Sequence, residues 1–146
     1  MQHHQVSEIQ VSYSPNIIET IISTSESSYM LALNNWNLNT IEMCEEAKVL
    51  FLNNALKVIG IYNLSKGGIS SSVVDIRLIL SIALKSISTH IILIHNHPST
   101  SLAPSKADMD ITSKLKLACG FLEIKLLDHL IINKESYYSF ADEGLL

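Results

Sequence analysis

The apolar residues of this chain are gathered into short runs, such as Val49 to Leu52 and Ile91 to Ile94, set between polar and turn-forming stretches. Runs of that length are strand material. A membrane span needs about 20 consecutive apolar residues, which these runs do not approach. Lys48 to Leu52 and Lys57 to Leu64 flank the turn-like pair Asn53-Asn54 and predict a hairpin, which Ser65-Lys66-Gly67-Gly68 then breaks. Ile76, Ile79, Leu80, Ala83, Leu84 and Ile87 recur at i, i+3, i+4 spacing, so Asp75 to Ser86 reads as a core-facing helix. His90 to His95 reads as a strand and Asn96 to Pro104 as an irregular loop. Lys106 to Cys119 reads as a second helix, with Gly120 just past its end. Ile124 to Ile132 and Tyr137 to Phe140 predict a terminal hairpin around Asn133 to Ser136. The order β-β-α-β-α-β-β implies a layered α/β (α+β) fold, a sheet flanked by helices.

Upstream, the first 25 residues are rich in Ser, Thr, Gln and Asn and contain Pro15. They read as an extended arm with a short strand at Glu8 to Ser12. A helix follows Ser25, with Tyr29, Leu33 and Trp36 at helical spacing, and the polar Asn37 to Thr40 ends it. The chain thus divides into an arm and helix over 1–43 and a main domain over 44–146. With 146 residues and 47% apolar content, it can bury one real core. The net charge of -4 gives no general attraction to phosphate backbones, so a nucleic-acid partner is weakly supported. Met1 to Gln10 is polar, with no basic-then-apolar leader, and a cytoplasmic chain without a membrane partner is expected. Cys44 and Cys119 stand far apart, without C-x-x-C context, and read as inert thiols.

The chemistry lies in His95-Asn96-His97-Pro98 and Ser105-Lys106-Ala107-Asp108. A strand alternates faces at each residue, so His95 and His97 point the same way and can offer two nitrogens to one ion. Asp108, in the first turn of the next helix, could close on them as an oxygen ligand. Two histidines and a carboxylate leave a tetrahedral zinc one open position, as catalytic zinc sites do. Ser105-x-x-Asp108 is equally a capping box, in which both side chains satisfy amides at the helix start; the two roles are compatible. Glu42, Glu45 and Glu46 read on their own as an acidic patch before a strand. His3 and His4 fall in the polar arm and His90 is expected to face solvent. His129, beside Asp128, is expected to support a ligand by hydrogen bonding.

His95-x-His97-Pro98, six residues, Ser105, two residues, Asp108 resembles the JAMM signature of the JAB/MPN metalloproteases. The phrases Ile94 to Ser99, Leu127 to Ile132 and Tyr138 to Leu146 resemble the RadC-type branch. The likeness runs from about Cys44 to the C-terminus. It implies a JAB/MPN, cytidine-deaminase-like fold, Zn2+ held by His95, His97 and Asp108, and hydrolysis of a peptide or isopeptide-like bond in a protein or peptide substrate. It also implies a glutamate as general acid and base, which the register of Glu45-Glu46-Ala47-Lys48 assigns to Glu45, with Glu46 the runner-up. Ser105 would donate to the oxyanion. Thr100 stands where the family commonly has Gly. The helix-hairpin-helix pattern usual in RadC-type proteins is not seen in Met1 to Cys44. That weakens the alternative of a DNA-repair or mobile-element-associated protein that binds nucleic acid or a partner without hydrolysis.

Overall fold

A computed structural model describes residues 7–14, 19–67 and 74–146. His3, His4, Pro15 and Gly68 lie outside them. The described residues form three helices and five strands: α1 (Ser25–Asn34), β1 (Glu46–Leu52), β2 (Val58–Lys66), α2 (Ile76–Lys85), β3 (His90–Asn96), α3 (Lys106–Phe121), β4 (Lys125–Ile132) and β5 (Tyr137–Ser139). The strands make one mixed sheet in the order β2-β1-β3-β4-β5, parallel between β3 and β4 and antiparallel elsewhere. Both hairpins expected from the sequence are present, β1 with β2 and β4 with β5.

The central strands are apolar at nearly every position because helices cover both of their faces. Leu50, Leu52, Ile92, Ile94, Leu130 and Ile132 pack under α1, against Tyr29, Ala32 and the nearby Trp36. Val49, Phe51, Ile91 and Leu93 pack on the other side, against Ile79 and Ala83 of α2 and Leu115 and Cys119 of α3. Burial pushes the Cys119 thiol up to about 11, in keeping with an inert role. Each helix start is fixed by a short polar side chain: Thr24 accepts from Ser27 N, Asp75 from Leu78 N and Ser105 from Asp108 N.

Four local expectations are corrected. Glu8 to Ser12 forms no strand; Ile9 and Val11 alternate with polar residues as a strand would, but the segment is exposed and has no strand partner among the described residues. The arm instead meets the sheet further on, in an isolated bridge between Ile21 and Lys57. Trp36 lies beyond α1, which ends at Asn34. In α2, Ile79 and Ala83 face the core while Leu84, at the edge of the stripe, is exposed, as is Ile87, which lies past the C-cap Ser86 and turns left-handed at φ 55°. Finally, α3 runs through Gly120 to Phe121. It stops where Glu123 turns left-handed at φ 56° and Ile124 N bonds back to Cys119 O, so the entry to β4 ends the helix rather than the glycine.

Candidate metal centre

Ala47 pairs with His95 across the β1–β3 ladder, and both face α3. Extending that register by two residues sets Glu45 opposite His97 on the same face, while Glu46 turns to the α1 side. The N-terminus of α3 meets this corner of the sheet, where three donor groups converge. The Nε2 atoms of His95 and His97 are 3.0 Å apart, and the Asp108 carboxylate oxygens lie 3.2 Å from the first and 3.3 Å from the second. Ligands about 2.0–2.1 Å from a tetrahedral zinc stand about 3.3–3.4 Å from one another, so these edges suit one small cation. Glu45 sits further back, with Oε1 4.0 Å from His95 Nε2. Donor atoms of Glu45, His95 and His97 all lie within 4.8 Å of one another, so Glu45 could also ligate. Asp108 stands closer to both imidazoles than Glu45 does to His95.

The charge balance agrees. Nδ1 of His97 donates to Ser101 O at 2.7 Å, which turns the Nε2 lone pair of the neutral ring towards the cluster. Burial works against the ionised Asp108 carboxyl, yet the imidazoles of His95 and His97 and the Ser105 amide beside it hold it well below the usual carboxylate range. Asp108 in turn raises His97. A carboxylate and two imidazole nitrogens facing one another can share a proton or hold a metal cation between them.

Asp108 also caps its helix, since Oδ2 accepts from Ser105 N at 2.8 Å while Ser105 Oγ accepts from Asp108 N at 3.1 Å. Cap and cluster thus coexist in one carboxylate. Ser105 is exposed, and its hydroxyl hydrogen is not used by the cap. His90 is half-buried, with its ring against Thr89 Oγ1, and stands at the opposite end of β3 from the cluster.

One structuring residue passed unnoticed in the sequence. Asn96, fully buried between the two histidines, points to the other face. Its Nδ2 donates to Ile41 O and Cys44 O at 2.6 and 2.9 Å, and its Oδ1 accepts from Glu46 N at 2.7 Å. Those bonds bracket Glu45 and pin its backbone to the end of β3. A buried Asn inside an apolar strand was the available signal, because such a side chain must find partners.

The cluster opens into a cleft of about 320 Å³ lined by Glu45, His95 and Asp108 and walled by Asp110, Ile111 and Lys114 of α3. A family model described as RadC-like JAB domain matches residues 22–145. The chain belongs to this family. Similar proteins, each named UPF0758 protein, come from Flavobacterium johnsoniae, 54% identical over 101 residues, and Porphyromonas gingivalis, 47% identical over 103 residues. One from Streptococcus sanguinis is 41% identical over 103 residues. These matches cover 69–70% of this chain but only 44–45% of each relative, so the chain spans about half the length of the proteins it resembles. Within the RadC-like JAB domain, Thr100 adopts φ 68°, in the left-handed region where the family's usual Gly costs nothing. No helix among the described residues is long and apolar enough to cross a membrane.

Proposed function

We propose that this RadC-like domain is a zinc-dependent hydrolase of the JAMM type, acting on a peptide or isopeptide-like amide bond. The supporting observation is the triangle of His95, His97 and Asp108 at tetrahedral ligand spacing, with Glu45 one step behind it in an open cleft. Zinc, when bound, supplies Lewis acidity that makes water a nucleophile at neutral pH. Glu45 would accept a proton from an attacking water as the water oxygen bonds to the carbonyl carbon. It then delivers the proton to the departing nitrogen as the C–N bond breaks. Ser105 donates to the carbonyl oxygen as negative charge gathers there. The half-buried Glu45 is held by backbone bonds on both sides, from Asn96 to its neighbours and from Gly67 N to Glu45 O at 2.8 Å.

Chelator-free protein should carry or take up about one zinc per chain, and zinc should restore cleavage of amide-linked peptide probes to stripped protein. Glu45→Gln should keep the zinc and lose about 10²–10⁴-fold in turnover. Failure to take up any transition metal on titration would overturn the reading.

A further inference from the structure

An imidazole can give a metal its Nε2 lone pair only when its proton sits on Nδ1, so the tautomer of His95 decides whether the cluster can hold an ion. That tautomer can be traced from a fixed point. The backbone carbonyl of Asp108 can only accept, and the Thr112 hydroxyl lies 2.6 Å from it, so the single hydroxyl proton is committed there. The same Thr112 oxygen lies 2.6 Å from Nδ1 of His129 and must accept, which places the His129 proton on Nδ1. His129 is fully buried, and its two ring partners are Thr112 and His95, with no carboxylate between them. A doubly protonated ring there would be a fully buried charge with no carboxylate in hydrogen-bond contact. Nε2 of His129 therefore carries a lone pair, and it faces Nδ1 of His95 at 2.8 Å. His95 donates across that contact, so in its neutral ring the lone pair falls on Nε2, towards His97 and Asp108.

We infer that Thr112 and His129 are positioning residues that set His95 in its metal-binding tautomer, through a relay anchored on the main chain of Asp108. The inference rests on reading His95 as a metal ligand. Ligating histidines are usually held directly by a carboxylate, a carbonyl or water. Here a neutral histidine intervenes, so the relay passes on orientation without adding negative charge beside the ion. Packing keeps it in line: His129 stacks on Phe140 with ring centroids 4.6 Å apart and planes 11° from parallel. The path also closes on itself, because Asp108 anchors it with its backbone and completes the ligand triangle with its side chain. Ligand geometry and ligand tautomer are thus both tied to the first turns of α3.

Thr112→Val keeps the shape and removes the hydroxyl, freeing His129 to move its proton to Nε2 and force that of His95 onto the ligating nitrogen. Thr112→Ser keeps the hydroxyl. The experiment reads ring tautomers by long-range ¹H–¹⁵N NMR of the metal-free full chain, and zinc affinity by competition with a chromophoric chelator. Wild type should show His95 and His129 protonated on Nδ1. Thr112→Val should weaken zinc binding about 10–100-fold, and Thr112→Ser should restore it. A neutral wild-type ring with its proton on Nε2, in either histidine, overturns the inference, as does a folded Thr112→Val that binds zinc like wild type. Should Thr112→Val fail to fold, the wild-type ring assignments decide. Absence of zinc binding in wild type, with the tautomers as stated, sinks the hydrolase reading and leaves the relay a structural feature only.

Discussion

Glu45 and Glu46 are neighbours in sequence, yet they meet opposite surroundings at the end of one strand. Glu46 turns towards α1, where the chain supplies its cations. Its carboxylate lies 3.3 Å from Lys66 Nζ and 3.8 Å from Lys48 Nζ. Lys48 is held further by Asn63 Oδ1 at 2.7 Å and by the Trp36 ring, whose centroid is 4.8 Å away. Glu45 turns towards α3, where it meets His95, His97 and Asp108, and its ion-pair contact is with an imidazole rather than a lysine. The side chains are similarly covered, with 17% of Glu45 and 11% of Glu46 exposed. Burial therefore does not separate the proposed general base from a carboxylate neutralised by lysines. The face whose lone pairs the chain leaves unneutralised is the face fitted for a ligand.

The largest effect should come from breaking the unneutralised face at its centre. Asp108→Ala removes the carboxylate that contacts both imidazoles, and zinc affinity should fall by more than the roughly 10–100-fold typical of outer hydrogen-bond partners. Asp108→Asn keeps an oxygen for Ser105 N, so it separates ligation from capping. It should retain the fold and still bind zinc weakly. Chelator competition on both variants checks this, and unchanged affinity in Asp108→Ala would remove Asp108 from the ligand set.

What the sequence made legible follows the same division. Strand periodicity put His95 and His97 on one face, and the capping spacing put Asp108 at a helix start, because both are local rules. The covered sheet could be read from runs apolar at every position. A supporting hydrogen bond by His129 could be expected, and the structure has one with His95, but its other partner and the contacts of Asn96 and Thr112 could not be read, since each depends on segments distant in sequence meeting in space; Thr112 and His129 are 17 positions apart. The alternation around Ile9 and Val11 misled for the complementary reason, as a strand needs a partner as well as a pattern. Thr100 shows a family glycine explained only by structure: its φ of 68° comes one residue before the Ser101 carbonyl that orients His97.

Ser105 bridges the two kinds of role, so its variant should show two smaller effects. As the N-cap of α3, Ser105→Ala should cost about 0.5–2 kcal/mol of stability, measured by denaturant unfolding. As a donor to the developing oxyanion, its loss should slow turnover about 10²–10³-fold with zinc retained. A variant that loses stability but turns over normally would leave Ser105 as a cap alone.

The smallest effect is expected from Glu46→Gln, and it tests the comparison from the structural side. Removing one partner of a fully buried ion pair typically costs 3–5 kcal/mol, because the other charge is left stranded. An exposed pair is worth about 0–1 kcal/mol. Glu46 falls nearer the second case. Its closer partner, Lys66, is 62% exposed and returns to water, and Lys48 keeps Asn63 and the Trp36 face. The backbone bond from Glu46 N to Asn96 survives the substitution, so the bracket around Glu45 stays in place. Glu46→Gln should therefore lose about 1 kcal/mol in denaturant unfolding, with zinc affinity and turnover as in wild type. Turnover loss matching that of Glu45→Gln would mean that the two faces are not independent, and that the general base had been assigned one residue too early.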